Sequence, residues 1–506
     1  LTLHVLRAAR ESGQQRAVLQ STEAGESMYR TIGFQPRCRI AVYRHSRPSG
    51  ALRGALGRIR RLGERAAAVF GLTAATVALG LGLSACALLE TPAPAPTLAP
   101  PTEVPTPTPV PPTPTPDPRG TLLERRPPTT FQPVQINQIM PRLYPAGTSN
   151  PARYPVEVHF IRYVSTEPNG ERLDILAQVY LPRVDAATPM TVLVYGAGTT
   201  GLGDQCAPSR EQPTARNWGD YQAHLLSYAS QGYITIMPDY AGFNDGNRLQ
   251  RYFVAQSEAR VLLDATRALY KFFQEAAPGS LGGASPSKSV FYAGYSQGGH
   301  AAFAVRDEYL SYAPDVPVTG VIGHGGSMDL TALLRDSPSF APMLLYSLSD
   351  FHGTTGPLGV DVGKLLNARW LPTLAVDMNT KCIDQMAGYY TNNHATVYSP
   401  QFNAALMGNR LEPEFPSVKE ALERNSTGQA ASNVPALVVQ GATDPIVTQR
   451  TADAFVARLC AAGQHVNYIL YPGVHHYQTR QVGFRDTMSW MDAVARGAPP
   501  PSTCRR

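Results

Sequence analysis

A glycine-bracketed serine, in the motif Gly294-Tyr-Ser-Gln-Gly298, limits more than any other feature what this chain can fold into. The motif follows an apolar run, residues 289–293, that is typical of a buried strand, and it precedes an alanine-rich run that is typical of a helix. When a strand turns directly into a helix, the positions two before and two after the serine approach so closely that a side chain at either would clash. The motif therefore predicts a strained turn that exposes the Ser296 hydroxyl, with the Gln297 amide at the helix N-terminus. A plain glycine-rich turn is the alternative.

Seven further apolar runs have the character of strands, and several are continuous and β-branched, as in strands buried on both faces of a sheet. Helical patterns separate most of the later runs, and residues 257–276 place apolar side chains on one helix face. Alternating strands and helices form a mostly parallel sheet covered on both sides, so we predict an α/β fold with helices on both faces of a mostly parallel central sheet. The seven runs are residues 157–164, 175–181, 191–195, 233–237, 318–322, 436–440 and 466–471.

A serine hydroxyl is a weak nucleophile that needs a base and a carboxylate to orient the base. Asp444 follows the apolar run 436–440, so its carboxylate is expected at the carboxyl end of that strand, where sites form in parallel sheets. Asp350 and Asp453 are weaker candidates because neither follows a strand. A structural role for Asp444, as a turn cap before Pro445, is the alternative.

Two neighbouring histidines, His475 and His476, follow the last apolar run and are the candidates for the base. Adjacent loop side chains point apart, so only one of them can serve, and the residues alone leave both open. His465 precedes the strand and is expected at the surface. His300, on the helix after the serine, is expected to pack or to support the site rather than to react.

Two segments after the run 191–195 carry a family resemblance. Gly198-Thr-Thr-Gly201 and Asp204-Gln-Cys-Ala-Pro-Ser209 resemble the oxyanion turn and the segment after it in the secretory lipase family of α/β-hydrolases. Further similar segments make the resemblance cover most of residues 131–506; they are residues 238–242 and 251–269.

The resemblance implies an α/β-hydrolase fold and roles for particular residues. Members of this family form an oxyanion hole from backbone amides, which here correspond to those of Thr199 and Gln297. Ala197 stands where the family often has histidine, a modest departure because the hole uses backbone N–H groups. The family usually places its catalytic histidine three residues after a glycine, which from Gly473 gives His476.

Four of the six cysteines lie in the globular body, and no C-x-x-C pair exists, which argues against a zinc or dithiol redox site. An even number in an exported chain predicts two disulfides with three possible pairings, and four buried thiols are the alternative. The family resemblance implies that Cys206 pairs with Cys382 and Cys460 with Cys504.

Ser296 and Asp444 are 148 positions apart in the sequence, which is more than the bare fold needs. We predict that residues from about 327 to 430 form a helical cap over the site. An apolar cluster in the cap lines an acyl pocket or forms the cap's own core, and both interpretations stay open. The cluster is Phe340, Met343, Leu344, Leu345, Tyr346 and Phe351.

Residues 50–86 have the pattern of a targeting signal. An arginine-rich flank precedes 24 uncharged residues, 66–89, within which Leu83-Ser-Ala-Cys86 resembles a bacterial lipobox. We predict that Cys86 is a lipid attachment site; an uncleaved membrane anchor is the alternative, and both place the body outside the cytoplasm. Residues 87–130 form a linker whose segment 91–118 holds 13 prolines, and we expect an extended polyproline-II spacer there.

Residues 1–49 resemble, over 17–34, the C-terminal end of a GNAT-type acetyltransferase, but the family's acetyl-CoA-binding turn is absent. We interpret the segment as a truncated fragment or a mis-assigned extension without acetyltransferase activity; a real cytoplasmic extension is the alternative. Residues 1–65 hold thirteen arginines and four glutamates, a net charge of +9. The whole chain has a net charge of +6, so residues 66–506 carry −3. The body therefore has no basic surplus for nucleic acid.

Together these patterns predict an exported serine hydrolase that cleaves carboxylic esters, with residues 131–506 as the enzyme domain. A serine peptidase or amidase is the alternative, because ester and amide hydrolysis use the same three side chains. We expect no metal and no organic cofactor, a small-molecule or lipid ester as substrate, and a monomer. The expected location is the outer face of the cell membrane, through the lipid anchor, or the medium.

Overall fold

A computed structural model describes residues 117–145, 147–212, 217–499 and 501–504. The interpretations of residues 1–49, of the signal at 50–86 with Cys86, and of most of the 87–130 linker fall outside these residues. Within the described part of the chain, no helix has both the length and the apolar character needed to cross a membrane.

A single ten-stranded sheet organises the domain, in the order β1-β3-β4-β6-β5-β7-β8-β9-β10, with β2 also paired to β3. The pairs from β1 to β6 are antiparallel, and all pairs from β6 through β5 to β10 are parallel. The strands are β1 (Leu122–Arg125), β2 (Thr129–Phe131), β3 (Val156–Thr166), β4 (Arg172–Pro182), β5 (Thr188–Gly196), β6 (Ile234–Pro238), β7 (Ala284–Tyr295), β8 (Gly320–His324), β9 (Ala436–Gly441) and β10 (Val466–Tyr471).

The order in which the chain adds strands to the sheet reverses at β5: the next strand, β6, lies on one side of β5, and β7 lies on the other. In open α/β sheets the crevice at the carboxyl ends of strands beside such a reversal is where ligands bind. Of the two segments that the sequence singles out, Gly198–Gly201 lies just after β5, and Gly294–Gly298 spans the end of β7 and the start of the next helix. The topology therefore brings them to the same crevice.

Helices cover the sheet, and they lie between the strands as well as before β3 and after β10. Helix α3 shows why they form: one face is apolar and buried against the sheet, while Lys271 lies in the last turn, where a positive charge suits the helix dipole. The helices outside the cap are α1 (Pro133–Ile139), α2 (Tyr221–Ala229), α3 (Ala255–Gln274), α4 (Gln297–Tyr312), α14 (Gln449–Ala461), α15 (Thr479–Val482) and α16 (Phe484–Ala495).

The fold class and all eight predicted strands are confirmed, but the sheet begins earlier than the predicted start near 131. Strands β1 and β2 pair with β3 and lie in what the sequence assigns to the linker. Both are short, and β1 alternates half-buried and exposed positions at the sheet edge, so they carry too few apolar residues to give a strand signal.

Nine short helices lie between β8 and β9, all in residues that the structure describes, and they form a cap with a core of its own. Met343, Leu344 and Leu345 are buried in that core, as the second interpretation of the apolar cluster has it. The cap helices are α5 (Leu330–Asp336), α6 (Ala341–His352), α7 (Val362–Leu365), α8 (Leu371–Thr380), α9 (Ile383–Met386), α10 (His394–Val397), α11 (Pro400–Met407), α12 (Leu411–Glu414) and α13 (Pro416–Asn425).

Two disulfides join distant parts of the domain. Cys206–Cys382 links the segment after β5 to the cap, and Cys460–Cys504 links α14 to the C-terminal tail. Beside the first, the Ile383 N–H donates to the Thr200 carbonyl at 2.9 Å. The cap is therefore bound covalently and by hydrogen bonds to the loop that leaves β5.

Replacing Cys206 and Cys382 by serine should lower the free energy of unfolding by about 2–5 kcal/mol, because the bridge closes a loop with a sequence separation of 176. Guanidinium unfolding of the double variant under non-reducing conditions measures this. The Cys460→Ser/Cys504→Ser variant is the control for losing a bridge that does not touch the cap. A stability equal to that of the unmodified protein would contradict the expectation.

Candidate active site

Ser296 occupies the sharp turn between β7 and α4, with a φ of 55° and a ψ of −113° that non-glycine residues rarely adopt. Its N–H donates to the His324 carbonyl at 2.9 Å, and its carbonyl accepts from Gly299 at 3.0 Å. These bonds from β8 and α4 hold the strained residue on both sides. Ser296 is 6% exposed, so only a small part of the residue reaches solvent.

The two glycines of the motif are required by direct backbone contact. A Cβ on Gly294 would lie 2.2 Å from the Gly298 carbonyl carbon, and one on Gly298 would lie 1.9 Å from the Gly196 oxygen. Real Cβ atoms essentially never approach other atoms this closely. The serine turn is therefore packed backbone to backbone against the end of β5.

His476 and Asp444 meet at the carboxyl ends of β9 and β10, with His476 Nδ1 2.7 Å from Asp444 Oδ2. Asp444 Oδ1 accepts from the amides of Ile446 and Val447 at 2.8 and 2.9 Å, so its carboxylate is fixed from two sides. Because the aspartate occupies Nδ1, the Nε2 lone pair of His476 is free to accept a proton.

The His476 ring lies beside the serine turn. Its centroid is 5.0 Å from that of Tyr295, the residue before the serine. Gly325 follows the carbonyl that receives the Ser296 amide, and a Cβ there would lie 3.1 Å from His476 Nδ1. The structure thus places His476, in contact with Asp444, beside the turn that carries Ser296.

His475 points elsewhere: it is exposed, and its Nδ1 contacts the Thr443 carbonyl at 3.0 Å. Of the two alternatives that the sequence leaves open, His476 is the one in contact with Asp444. Asp453 accepts from Tyr468 and Asp350 pairs with Arg251, so both weaker acid candidates are engaged away from this histidine.

The loop after β5 is held by three buried tyrosines. Tyr240 donates its hydroxyl to the Ala197 carbonyl at 2.7 Å, and the Gly198 N–H donates to the Tyr221 hydroxyl at 2.8 Å. The Thr199 hydroxyl is 2.8 Å from that of Tyr252. Sequence reasoning assigned none of these tyrosines, because a buried tyrosine gives no local signal of its partner.

Gln297 is the first residue of α4, so its N–H has no acceptor within the helix and lies at the positive end of the helix dipole. Thr199 lies three residues after β5 and Gln297 two residues after β7, and these two strands are neighbours in the sheet. The arrangement can stabilise negative charge on an oxygen attached to a carbon bonded to the serine.

A buried arginine that the sequence analysis missed lies beneath the loop. Arg480, two percent exposed, places its guanidinium carbon 4.9 Å from the ring centroids of both Tyr221 and Tyr295. This stacking holds the tyrosine that binds Gly198 and the tyrosine that precedes Ser296.

The motif His324-Gly-Gly326 supports the serine turn from below. His324 is buried at the end of β8, and its Nε2 lies 3.0 Å from the Thr487 hydroxyl. Burial lowers the pKa of His324 to about 4, so the ring is neutral near pH 7. This segment follows Ser296 in the chain and forms the turn at the end of β8.

Asp239 joins two of the segments that carry the family resemblance, residues 204–209 and 238–242. The Ser209 N–H and hydroxyl donate to its carboxylate at 2.9 and 2.5 Å, and Asn244 Nδ2 donates at 2.7 Å. Burial raises the pKa of Asp239 to about 6, although these hydrogen bonds oppose the shift. The contact fixes the end of the segment that starts at Gly198.

A cavity of about 1040 Å³ lies between the cap and helices α3 and α4, but its lining includes neither Ser296 nor His476. Acidic and basic side chains alternate around it, among them Asp307, Glu423 and Arg424. Among the described residues, no group of three or more His, Cys, Asp or Glu side chains is arranged to hold a metal ion.

Comparison with known proteins places this chain among lipases and esterases. Residues 221–502 match the family described as secretory lipase. No curated protein matches the chain.

Solved structures with the same fold include the rice cell wall degrading esterase LipA from Xanthomonas oryzae, with 19% identity and a TM-score of 0.59, covering 75% of this chain and 97% of that one. Candida antarctica lipase A has 21% identity and a TM-score of 0.56, covering 76% and 84%. A putative hydrolase from Legionella pneumophila has 17% identity and a TM-score of 0.62, covering 74% and 98%.

Asp239→Asn should change the pH dependence of stability. The folded protein holds the Asp239 proton more tightly than the unfolded chain does, so this carboxyl destabilises the fold above about pH 6, and the penalty disappears as the pH falls toward 4. The unmodified protein should gain about 2–3 kcal/mol relative to the variant between pH 7 and pH 4. Urea unfolding at both pH values measures the difference, with Asp384→Asn, at an exposed helix position, as control. If the difference in stability between the two proteins is the same at pH 7 and pH 4, the raised pKa of Asp239 in the folded protein is refuted.

Proposed function

The chain belongs to the secretory lipase family, and we propose on this basis that it hydrolyses carboxylic esters through Ser296, His476 and Asp444. As a member of this family it is a carboxylic ester hydrolase. The 2.7 Å contact between His476 and Asp444 beside a strained, glycine-bracketed serine is the observation that carries the residue assignment.

Acylation begins when the Ser296 hydroxyl oxygen attacks the ester carbonyl carbon. His476 Nε2 accepts the hydroxyl proton, and Asp444 orients the ring and stabilises the positive charge that the ring gains. The imidazolium then gives this proton to the leaving alcohol, and the acyl group remains on the serine oxygen.

The carbonyl oxygen becomes negative in the tetrahedral intermediate. The amides of Thr199 and Gln297 are the proposed donors, and each such donor typically contributes about 100- to 1,000-fold to turnover. Their positions are fixed before substrate arrives, so little free energy is lost in reorienting them.

Deacylation repeats the sequence with water. His476 removes a proton from water as the water oxygen attacks the acyl carbon, and the proton then passes to the Ser296 oxygen as the acid leaves. No step needs an electron acceptor or a second substrate, so water and the ester are the only reactants.

His476→Ala should lower kcat/KM for nitrophenyl esters by about 1,000-fold or more, as should Ser296→Ala, because the serine then lacks its base or is absent. The matched control is His475→Ala, which removes the exposed neighbouring ring and should stay within about threefold of the unmodified enzyme. A panel of esters from acetate to palmitate, with aminoacyl nitroanilides in parallel, makes the measurement.

Equal rates for Ser296→Ala and the unmodified enzyme would exclude Ser296 as the nucleophile. A large loss in His475→Ala with none in His476→Ala would reverse the assignment of the base. Turnover of the nitroanilides without turnover of aliphatic esters would favour the amidase alternative.

We further propose that the enzyme is exported and held at the outer face of the membrane as a monomer, through a lipid on Cys86. The lipobox-like ending of the uncharged run supports the anchor, and the segment with 13 prolines suits a spacer between membrane and enzyme.

Radioactive palmitate should label the full chain and should not label Cys86→Ala, because the thiol is the proposed attachment point. Cys38→Ser is the matched control, since it removes a cysteine upstream of the signal. Label that persists in Cys86→Ala, or that disappears in Cys38→Ser alone, would overturn the anchor at this position.

A further inference from the structure

Glu258, in the first turn of α3, is a buried carboxylate at the centre of a hydrogen-bond network, and its side chain is inaccessible to solvent. Its Oε1 accepts from Gln297 Nε2 at 2.8 Å and from the Phe253 N–H at 3.1 Å. Its Oε2 lies 2.7 Å from His300 Nδ1. The mechanism above uses neither Glu258 nor His300, so this network needs an explanation of its own.

His300 faces an acceptor at each ring nitrogen, because its Nε2 lies 2.6 Å from the Asn425 carbonyl oxygen. A carbonyl oxygen only accepts, so Nε2 carries a proton, and the contact at Nδ1 needs a second proton between that nitrogen and the carboxylate. The Glu258–His300 pair is therefore neutral as a whole and fully hydrogen-bonded, which is how such groups persist in a core.

Both proposed oxyanion donors are connected to the Glu258–His300 pair through contacts between buried residues. Gln297 is bound to Glu258 through its side chain. Thr199 is bound to Tyr252, whose ring centroid lies 4.3 Å from that of Phe253, and Phe253 in turn donates its N–H to Glu258.

Phe253 itself is strained. It has a φ of 57°, which non-glycine residues rarely adopt, and it is buried with its ring 4.8 Å from that of His300. Such a conformation persists only when the surroundings fix it. The hydrogen bond from its N–H to Glu258 and the ring contact with His300 are two of those constraints.

The pair also joins the site to the cap. Asn425 ends α13, the last cap helix, and besides its carbonyl contact with His300 its side chain accepts from the Ala255 N–H at 3.2 Å. The first turn of α3, the first turn of α4 and the end of the cap thus share one hydrogen-bonded cluster.

We propose that Glu258 and His300 are positioning residues that hold both oxyanion donors in place and tie them to the end of the cap. This inference rests on the proposed function, because it concerns the Thr199 and Gln297 amides. Amides that bind charge only in the transition state affect kcat rather than KM, and a displacement of about 1 Å costs roughly 100-fold.

Gln297→Ala keeps the backbone N–H but removes its tether to Glu258, so kcat should fall about 10- to 100-fold while KM stays within about twofold. Glu258→Ala should show the same split. Glu258→Gln should restore at least a third of kcat: its amide oxygen can accept from Gln297 and Phe253, and its NH₂ can donate to a neutral His300. Ser257→Ala is the matched control. Ser257 precedes Glu258 in α3, and the change removes a buried hydrogen bond from Ser257 to Glu167. This variant should therefore change the stability of the protein without changing kcat.

The double variant Glu258→Ala/Gln297→Ala should lose no more kcat than the stronger single variant, since both remove one interaction. Steady-state kinetics on a nitrophenyl ester, normalised to folded protein by circular dichroism, decides the matter. Unchanged kcat in Gln297→Ala, or equal losses in Glu258→Gln and Glu258→Ala, would overturn the positioning role. If Glu258→Ala does not fold, Gln297→Ala and Glu258→Gln decide alone. Turnover that survives Ser296→Ala would instead refute the proposed function, so the two failures are separable.

Discussion

The contact between the Gly298 backbone and the Gly196 carbonyl is the constraint on which the rest of the site depends. A Cβ at Gly298 would lie 1.9 Å from that oxygen, so no other residue type allows the serine turn to pack against the end of β5. At this contact the turn that holds the strained Ser296, after β7, packs against the end of β5, where the loop that carries Thr199 begins. Without it, Thr199 and Gln297, the two proposed oxyanion donors, would not be held at the ends of adjacent strands.

Around this contact the structure uses buried polar side chains rather than apolar packing to fix the backbone. Tyr221 and Tyr240 bind the loop after β5, Asp239 binds its far end, and Glu258 binds the residue after the serine. A hydrogen bond fixes direction as well as distance, whereas apolar contact fixes only separation. A site that must aim two amides at one atom therefore needs such partners, although each costs free energy to bury.

Sequence reasoning identified the sheet and the candidate triad because both leave local signals: apolar runs for β3 to β10, two glycines around Ser296, and an acid and a histidine after successive strands. It missed β1 and β2, whose edge positions carry few apolar residues, and it could not choose between His475 and His476 without the family pattern. Tyr221 and Arg480 were not found because their contacts join residues that are distant in the sequence: Tyr221 and Gly198 are 23 positions apart, and Arg480 and Tyr221 are 259 positions apart. Glu258 lies in a family-like segment, but nothing local distinguishes it from a surface glutamate.

The covalent tie at Cys382 has a mechanical consequence. Beside it, Thr200 accepts from Ile383, and Thr200 is joined to Thr199 by one peptide bond. A bend of the chain at this point would displace the backbone of Thr199, which is the proposed oxyanion donor. Residues 382 and 383 are therefore held to the loop after β5, and any movement of the cap relative to the sheet has to bend the chain outside them.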